Sequence, residues 1–158
     1  MSSSRRPDWT TVIAGFGSPH GDDQAGWRVA ELLSQRPDLP ARVIVVHEPT
    51  QILAALRGSQ RLIVVDACHA GGVGGTVTRL IWPDARVAAM HRHSTHGVSV
   101  ADVLKLAEQL GDLPQIVEIF GIEVADCSPG RDPTPDVSCA VAEVEARIVG
   151  KLCEAAHA

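Results

Sequence analysis

The sequence lacks an excess of positive charge, and it lacks any long apolar run. Its 14 Lys and Arg residues are outnumbered by 19 Asp and Glu residues, which gives a formal net charge of −5. This balance argues against nucleic acid or an anionic membrane surface as a partner. No run reaches the ~18 apolar residues of a membrane span, and the polar N-terminus does not resemble a signal peptide. We therefore expect a cytoplasmic protein that binds no membrane.

The sequence also lacks the cysteine and serine motifs of several common sites. The four cysteines are Cys68, Cys127, Cys139 and Cys153. No C-x-x-C pair occurs among them, so we expect core or semi-buried thiols and no zinc knuckle or disulfide framework. The G-x-S-x-G motif of serine hydrolases is absent around Ser18. Cys68 and His69 are adjacent, but neighbours in sequence rarely have the geometry of a nucleophile and its base.

The apolar runs that are present predict one α/β domain over residues 9–158, preceded by a disordered tail over residues 1–8. The predicted strands are residues 10–14, 41–46, 61–65, 76–81 and 116–122. The predicted helices are residues 23–35, 49–56 and 99–110, and a final helix that begins at residues 134–135. This order predicts a three-layer domain with a five-stranded, mostly parallel sheet between helices. Right-handed crossovers place the first strand between the second and the third. The fourth strand follows the third too closely for a helical crossover, so we expect it to be antiparallel.

Periodicity and capping residues set the predicted helix faces and ends. Ser99 and Asp102 form a possible capping box, Gly111 ends that helix, and Thr134 with Pro135 begins the last one. The predicted buried positions are Ala25, Val29, Leu32 and Leu33 in the first helix, Val100, Val103, Leu104, Ala107 and Leu110 in the third, and Val137, Ala140, Val141, Val144, Ile148 and Leu152 in the last. Residues 82–95 and 124–133 are predicted to be loops.

The loop after the first strand carries two adjacent carboxylates. Gly15 and Gly17 end the strand as glycines do in a dinucleotide site, but Asp22 and Asp23 would repel a phosphate. A helix N-terminus favours the ionised carboxylate, which is the form a metal needs. We expect Asp22 to cap the helix and Asp23 to be the acid of the site. Asp66 ends the third strand, where it either caps a turn or meets Asp23 at the topological switch point.

The histidines are concentrated just before the predicted helix at residue 99. Of the three within residues 91–96, we expect His96 to be the imidazole of the site, while His91 and His93 are incidental. The three could also form a metal site by themselves or belong to a solvated loop. The alternative imidazoles, each next to a predicted strand end, are His20, His47 and His69. Two carboxylates and one imidazole suit nickel or zinc and leave positions open for substrate or water.

Three groups of segments follow the motif order of a known family. They are residues 15–26 with Gly21-Asp22-Asp23, residues 64–77 with Val64-Val65-Asp66-Ala67, and residues 94–98 together with 117–123. Across roughly residues 11–145 the chain resembles the nickel-iron hydrogenase maturation endopeptidases. The resemblance implies that Asp23, Asp66 and His96 are the catalytic and metal-contacting residues.

This resemblance also implies a substrate and a reaction. The substrate would be the large-subunit precursor of a nickel-iron hydrogenase, which loses its C-terminal extension after nickel insertion. The nickel would come with the precursor instead of being bound permanently by the protease, which we expect to be a monomer. Such an ion could report that the cofactor is present and could also polarise the scissile carbonyl or a water.

The chain departs from the family at three places, and one other class of function stays open. Ser18 replaces a common Asn, Asp23 stands where some members have Glu, and residues 48–51 replace a Gly-Thr-rich turn implicated in substrate handling. The particular hydrogenase is therefore left open. The alternative is a non-catalytic, metal-dependent binding or chaperone-like protein that inspects a precursor. A nucleotide-binding module is the third candidate function, but the acidic loop after the first strand argues against it.

Overall fold

A five-stranded sheet lies at the centre of the computed structural model, which describes residues 10–90 and 97–157. The strands are β1 (Thr11–Phe16), β2 (Arg42–Val46), β3 (Arg61–Cys68), β4 (Val77–Ile81) and β5 (Ile116–Glu123). Their order is β2-β1-β3-β5-β4, and β4 runs antiparallel to β5. The predicted fold class is confirmed, as is the position of β1 between β2 and β3. The predicted tail, residues 1–8, lies outside the described residues.

Helices cover both faces of the sheet. They are α1 (Ala25–Ser34), α2 (Ile52–Leu56), α3 (Arg86–Ala89), α4 (Val100–Leu110) and α5 (Pro135–Ala156), with 3₁₀ turns Gly21–Gln24 and Pro49–Gln51 leading into α1 and α2. One apolar core joins the sheet to α1 and α5, and a second joins it to α2, α3 and α4. Within the described ranges, none of the helices combines the length and apolar character that a bilayer crossing requires.

The helix ends and faces largely agree with the sequence prediction. Ser99 Oγ accepts a hydrogen bond from Asp102 N at 3.1 Å, and the Asp102 carboxylate accepts one from Ser99 N at 3.0 Å, so the capping box is present. Gly111 ends α4 with a φ of 75°, a conformation that favours glycine. All six positions predicted for α5 are buried. Leu32 and Leu110 were predicted to be buried, but they are 39% and 57% exposed because each lies at the margin of its helix's apolar face.

The segment predicted to be a loop over residues 82–95 contains a short helix. The Asp84 carboxylate accepts a hydrogen bond from Arg86 N at 2.9 Å, which satisfies a free donor at the start of α3. Val87 then packs into the core. The loop prediction is therefore wrong for Arg86–Ala89, because four residues are too few for a detectable helical period. Residues 91–95 lie outside the described part of the chain.

Two glycines let α1 approach the sheet closely. A Cβ atom at Gly26 would lie 2.0 Å from Phe16 O and 2.4 Å from Val65 O, and one at Gly15 would lie 2.2 Å from Gly26 O. A side chain at either position would therefore push the helix off the strands. The absence of these side chains places the first turn of α1 directly against the ends of β1 and β3, and it carries the preceding 3₁₀ turn to the switch point.

Candidate functional site

Asp23 lies in the 3₁₀ turn between β1 and α1, where its backbone is held on both sides. Its N–H donates to His20 O at 3.0 Å, and its carbonyl oxygen accepts from Ser18 N at 3.1 Å. The side chain is 26% exposed and lies beyond the carboxyl ends of β1 and β3, where folds of this kind have their ligand-binding crevice. A fixed backbone with an accessible carboxylate is what a site acid needs.

Asp66 lies inside β3, and the prediction that it ends the strand is wrong. The strand continues to Cys68 because its pairing with β5 extends as far as Glu123. Asp66 is 5% exposed and lies opposite Gly121 in the register. It follows Val65, whose carbonyl lies against Gly26, and the 3₁₀ turn that carries Asp23 contacts β3. The two predicted site acids are thus on adjoining segments at one edge of the sheet.

His69 brings an imidazole to Asp23. Its Nε2 atom lies 3.6 Å from Asp23 Oδ1, and its side chain is 32% exposed. The backbone N–H of His69 donates to Met90 O at 2.7 Å, which fixes the chain just beyond β3. The sequence indicated His69 only as an alternative imidazole of the site, because its position next to a predicted strand end was the only pattern that pointed to it.

The predicted site imidazole, His96, lies outside the described residues, as do His91 and His93. Within residues 10–90 and 97–157, no group of three or more His, Cys, Asp or Glu side chains has an arrangement that could hold a metal ion. The assignment of Asp23, Asp66 and His96 as a metal-contacting set therefore stays a prediction.

The other two alternative histidines have different surroundings. His20 is exposed, and its carbonyl oxygen accepts the Asp23 N–H. His47 follows β2. The centroids of the His47 and Trp27 rings are 4.8 Å apart, and the angle between the ring planes is 60°. Trp27 Nε1 in turn donates to Val46 O at 2.8 Å. The contact between His47 and Trp27 ties α1 to the end of β2.

Asp22 has a structural role, but not the predicted one of helix cap. It lies within the 3₁₀ turn, whose capping position is His20, and its side chain is fully buried. Its carboxylate accepts hydrogen bonds from Ala125 N at 2.7 Å, Asp126 N at 2.8 Å and Thr134 N at 2.6 Å. Asp22 therefore ties the loop after β1 to the loop after β5.

Thr134 completes this connection. Its Oγ1 donates to Asp22 at 3.0 Å, so the side chain does not cap α5 as predicted, although Thr134 occupies the capping position. Burial by itself would raise the pKa of Asp22, but the hydrogen bonds from Asp126, Thr134 and Ala125 outweigh burial and hold that pKa below its usual value. Asp22 is thus ionised in the folded protein at neutral pH.

Glu123 fixes the glycine-rich turn that follows His69. Its buried carboxylate accepts hydrogen bonds from Gly71 N at 2.8 Å and Gly72 N at 2.9 Å, with Ala70 N at 3.3 Å. Successive N–H groups that point at one carboxylate form an anion-binding nest. Sequence reasoning saw Glu123 only as part of the third motif segment, because its partners lie more than 50 residues away.

Two thiols lie near the site, and neither is a thiolate at neutral pH. Burial and the neighbouring Glu123 raise the pKa of Cys68 to about 12. Burial and the Asp23 and Asp22 carboxylates raise the pKa of Cys127 to about 11. The thiolate is the nucleophilic form, and a thiol whose pKa is raised this far stays protonated at pH 7. This argues against thiol-based hydrolysis.

Replacement of Cys68 by Ser should leave peptidase activity at the wild-type rate. The serine hydroxyl can keep a hydrogen bond to Glu123, and a thiol that stays protonated contributes no nucleophile. Processing of a precursor by Cys68→Ser, compared with the exposed Cys139→Ser variant, checks this. A Cys68→Ser protein that melts like the wild type but does not cleave would restore the thiol mechanism.

Comparisons with known proteins agree with this architecture. The family model described as hydrogenase maturation protease, HycI, matches residues 27–151. The hydrogenase 2 maturation protease of Escherichia coli K12 is 26% identical over 149 residues, which cover 90% of each chain. The solution structure of the endopeptidase HycI from Escherichia coli has a TM-score of 0.72 at 26% identity and covers 89% of each chain. The [NiFe] hydrogenase maturation protease HycI from Thermococcus kodakarensis shares the fold, with a TM-score of 0.71 at 21% identity and 94% coverage of each chain.

The fold and the crevice define an α/β protein with acidic side chains at the switch point of its sheet, where such folds bind their ligands. The matched family model covers well over half of the chain, including Asp66 and His96, and begins just after Asp23. The chain belongs to the hydrogenase maturation protease family and is a peptidase.

Proposed function

We propose that this peptidase removes the C-terminal extension of a nickel-iron hydrogenase large-subunit precursor after nickel has been inserted. In this proposal Asp23, Asp66 and His96 contact the nickel that the precursor carries. The protein acts in the cytoplasm as a monomer. The observation that carries the proposal is the placement of Asp23 and Asp66 on adjoining segments at the switch point, in a chain of this family.

The two carboxylates differ in ways that suit this role. Asp66 is 5% exposed and is set within a paired strand, so its position is rigid. The Asp23 side chain is 26% exposed at the crevice, where an ion carried by a precursor can reach it. Carboxylate and imidazole donors together suit a borderline divalent ion.

The protein residues bind and orient the precursor, and the nickel is part of that substrate. When it is bound, the ion would supply Lewis-acid polarisation of the scissile carbonyl or of a water. Asp22 and Glu123 fix the loops around the crevice through their buried carboxylates, so that Asp23 and the turn after β3 keep their positions. Preorganised loops of this kind lower the cost of aligning a substrate.

The intact mass of a nickel-loaded large-subunit precursor, measured before and after incubation with the protein, tests this proposal. We expect the mass of the C-terminal peptide to be lost, and we expect no loss from the same precursor without nickel. The ion distinguishes the two samples, so the difference reports nickel recognition directly.

Two other results would contradict the proposal in different ways. Equal cleavage of the nickel-free precursor would show that the protein does not recognise the ion. A stable, nickel-dependent complex without cleavage, for every member of a panel of precursors, would favour the binding or chaperone-like alternative.

A further inference from the structure

We propose that the free edge of β4 binds an extended segment of the large-subunit precursor, which adds to the sheet as one further strand. The inference deepens the proposed function and rests on it for the identity of the segment. Within residues 10–90 and 97–157, β4 lies at the end of the strand order and pairs with β5 alone. Addition of a peptide to an exposed sheet edge is a recurring mode of recognition, in which main-chain hydrogen bonds supply the affinity.

The pairing with β5 directs the backbone groups of every second residue of β4 at the free edge. Trp82 N donates to Val117 O at 3.0 Å, and Glu123 N donates to Thr76 O at 2.9 Å. Hydrogen-bonded residues alternate along an antiparallel strand, so the even-numbered residues of β4 face β5. The residues whose N–H and C=O groups point away from the sheet are Val77, Arg79 and Ile81.

The edge of β4 has none of the features that usually protect a free strand. Such features are bulges, prolines and charged side chains that stand free along the edge. The five residues of β4 pair with β5 one for one, so the strand contains no bulge, and its sequence contains no proline. Its one charged residue, Arg79, donates from Nε to Glu118 Oε2 at 2.9 Å. Ile81 is 47% exposed. The edge is therefore open to a further strand.

The direction of such a strand suits the removal of a C-terminal extension. A segment antiparallel to β4 runs parallel to β1, β3 and β5, so its carboxyl end emerges at the end of the sheet where Asp23 lies. The residues before the scissile bond would occupy the edge, and the chain would continue toward Asp23. The added strand would lie three strand spacings from β3, which is about 14 Å. About four extended residues span that distance, so the paired segment ends roughly four residues before the cleaved bond.

Excess positive charge beside the edge predicts the character of one residue of the segment. The buried Glu118 carboxylate contacts Arg79, Lys151 and, at 3.9 Å, Arg61 Nε. Three cations thus surround one carboxylate in a chain whose formal net charge is −5. The Arg79 and Lys151 side chains are 38% and 31% exposed. We expect an acidic residue of the segment opposite Arg79, because opposite charges on facing residues of neighbouring strands attract.

Val77→Pro tests the edge in the full chain. Proline removes the outward N–H of Val77, and the first residue of an edge strand is a position where proline is tolerated. We expect KM for the nickel-loaded precursor to rise about 10-fold with kcat unchanged, because the lost bond is remote from the reacting atoms. Val77→Ala is the matched control. It removes the side chain that packs against the core but keeps the N–H, so it should have the wild-type KM.

Hydrogen exchange of the wild type, measured by NMR, needs no variant. The probe is a synthetic peptide of about 12 precursor residues that ends at the cleaved bond, long enough for the paired and the connecting residues. We expect the peptide to slow exchange at the N–H groups of Val77, Arg79 and Ile81. Exchange at Thr78 and Leu80 should not change, because their N–H groups already face β5.

Contrary results would overturn the inference and leave the proposed function standing. An unchanged KM in a folded Val77→Pro protein, or an equal rise in Val77→Ala, would show that the outward N–H groups do not bind the precursor. Slower exchange on β2 instead of β4, or on neither strand, would do the same, and this result alone decides if Val77→Pro does not fold. Absence of cleavage by the wild type would instead refute the proposed function. The inference would then fail with it, because the segment belongs to that precursor.

Discussion

Asp22→Asn should lower the free energy of unfolding by about 2–3 kcal/mol. Asp22 is fully buried, and its two carboxylate oxygens accept four hydrogen bonds from Ala125, Asp126 and Thr134. In either orientation, the asparagine NH₂ group would face at least one backbone N–H donor. Hydrogen bonds to charged groups contribute about 1.5–3 kcal/mol each, and a buried donor without an acceptor costs about 1–3 kcal/mol. Urea unfolding of the variant and the wild type measures the difference.

The stabilising effect of Asp22 should also depend on pH, with a definite sign. Its pKa is lowered in the folded protein because the hydrogen bonds outweigh burial, whereas an unfolded Asp titrates near 3.9. The contribution is therefore fully present above about pH 4 and is lost as the pH falls through the folded pKa. The gap in stability between the wild type and Asp22→Asn should narrow as the pH falls below about 4.

The control for this variant is the same chemical change at an exposed acid. Asp38 is exposed, so Asp38→Asn should change the free energy of unfolding by no more than about 0.5 kcal/mol. If Asp22→Asn were as stable as Asp38→Asn, the two loops would not depend on the buried carboxylate.

Asp23→Asn should abolish precursor processing and leave the fold intact, in contrast to Asp22→Asn, which should destabilise the fold. The Asp23 backbone bonds to His20 and Ser18 do not involve the carboxylate, and asparagine preserves the shape of the partly exposed side chain. Loss of a charged oxygen donor to the nickel should reduce the rate of cleavage by about 100-fold or more. Mass spectrometry of the nickel-loaded precursor over time gives the rate, and thermal melting gives the stability. Asp66→Asn and His96→Ala are predicted to have the same effect on processing.

Asp132→Asn is the matched control for Asp23→Asn. The Asp132 side chain is 96% exposed in the loop after β5 and lies 3.7 Å from Arg28, so its neutralisation should not affect cleavage. Wild-type processing by a folded Asp23→Asn protein would exclude Asp23 from the site, whatever the behaviour of the other variants.

The sequence by itself determined the order of strands and helices and the main buried faces. The six buried positions of α5 follow a helical period, and the capping box of Ser99 and Asp102 spans three residues. Such signals are local, so they can be read without knowledge of distant partners. The strand order β2-β1-β3 followed from right-handed crossovers between parallel strands, which is a general rule.

The tertiary structure alone decided which groups meet. Asp22 and Asp23 are adjacent and chemically identical, and they differ because Asp22 binds groups 103–112 residues away while Asp23 remains accessible at the crevice. Asp66 lies inside its strand because β5 continues to pair beyond it. His69 reaches Asp23 because Gly26 lets α1 pack against Val65 O, and so brings the ends of β1 and β3 together. No local pattern contains these contacts, because each depends on segments that only the folded chain brings together.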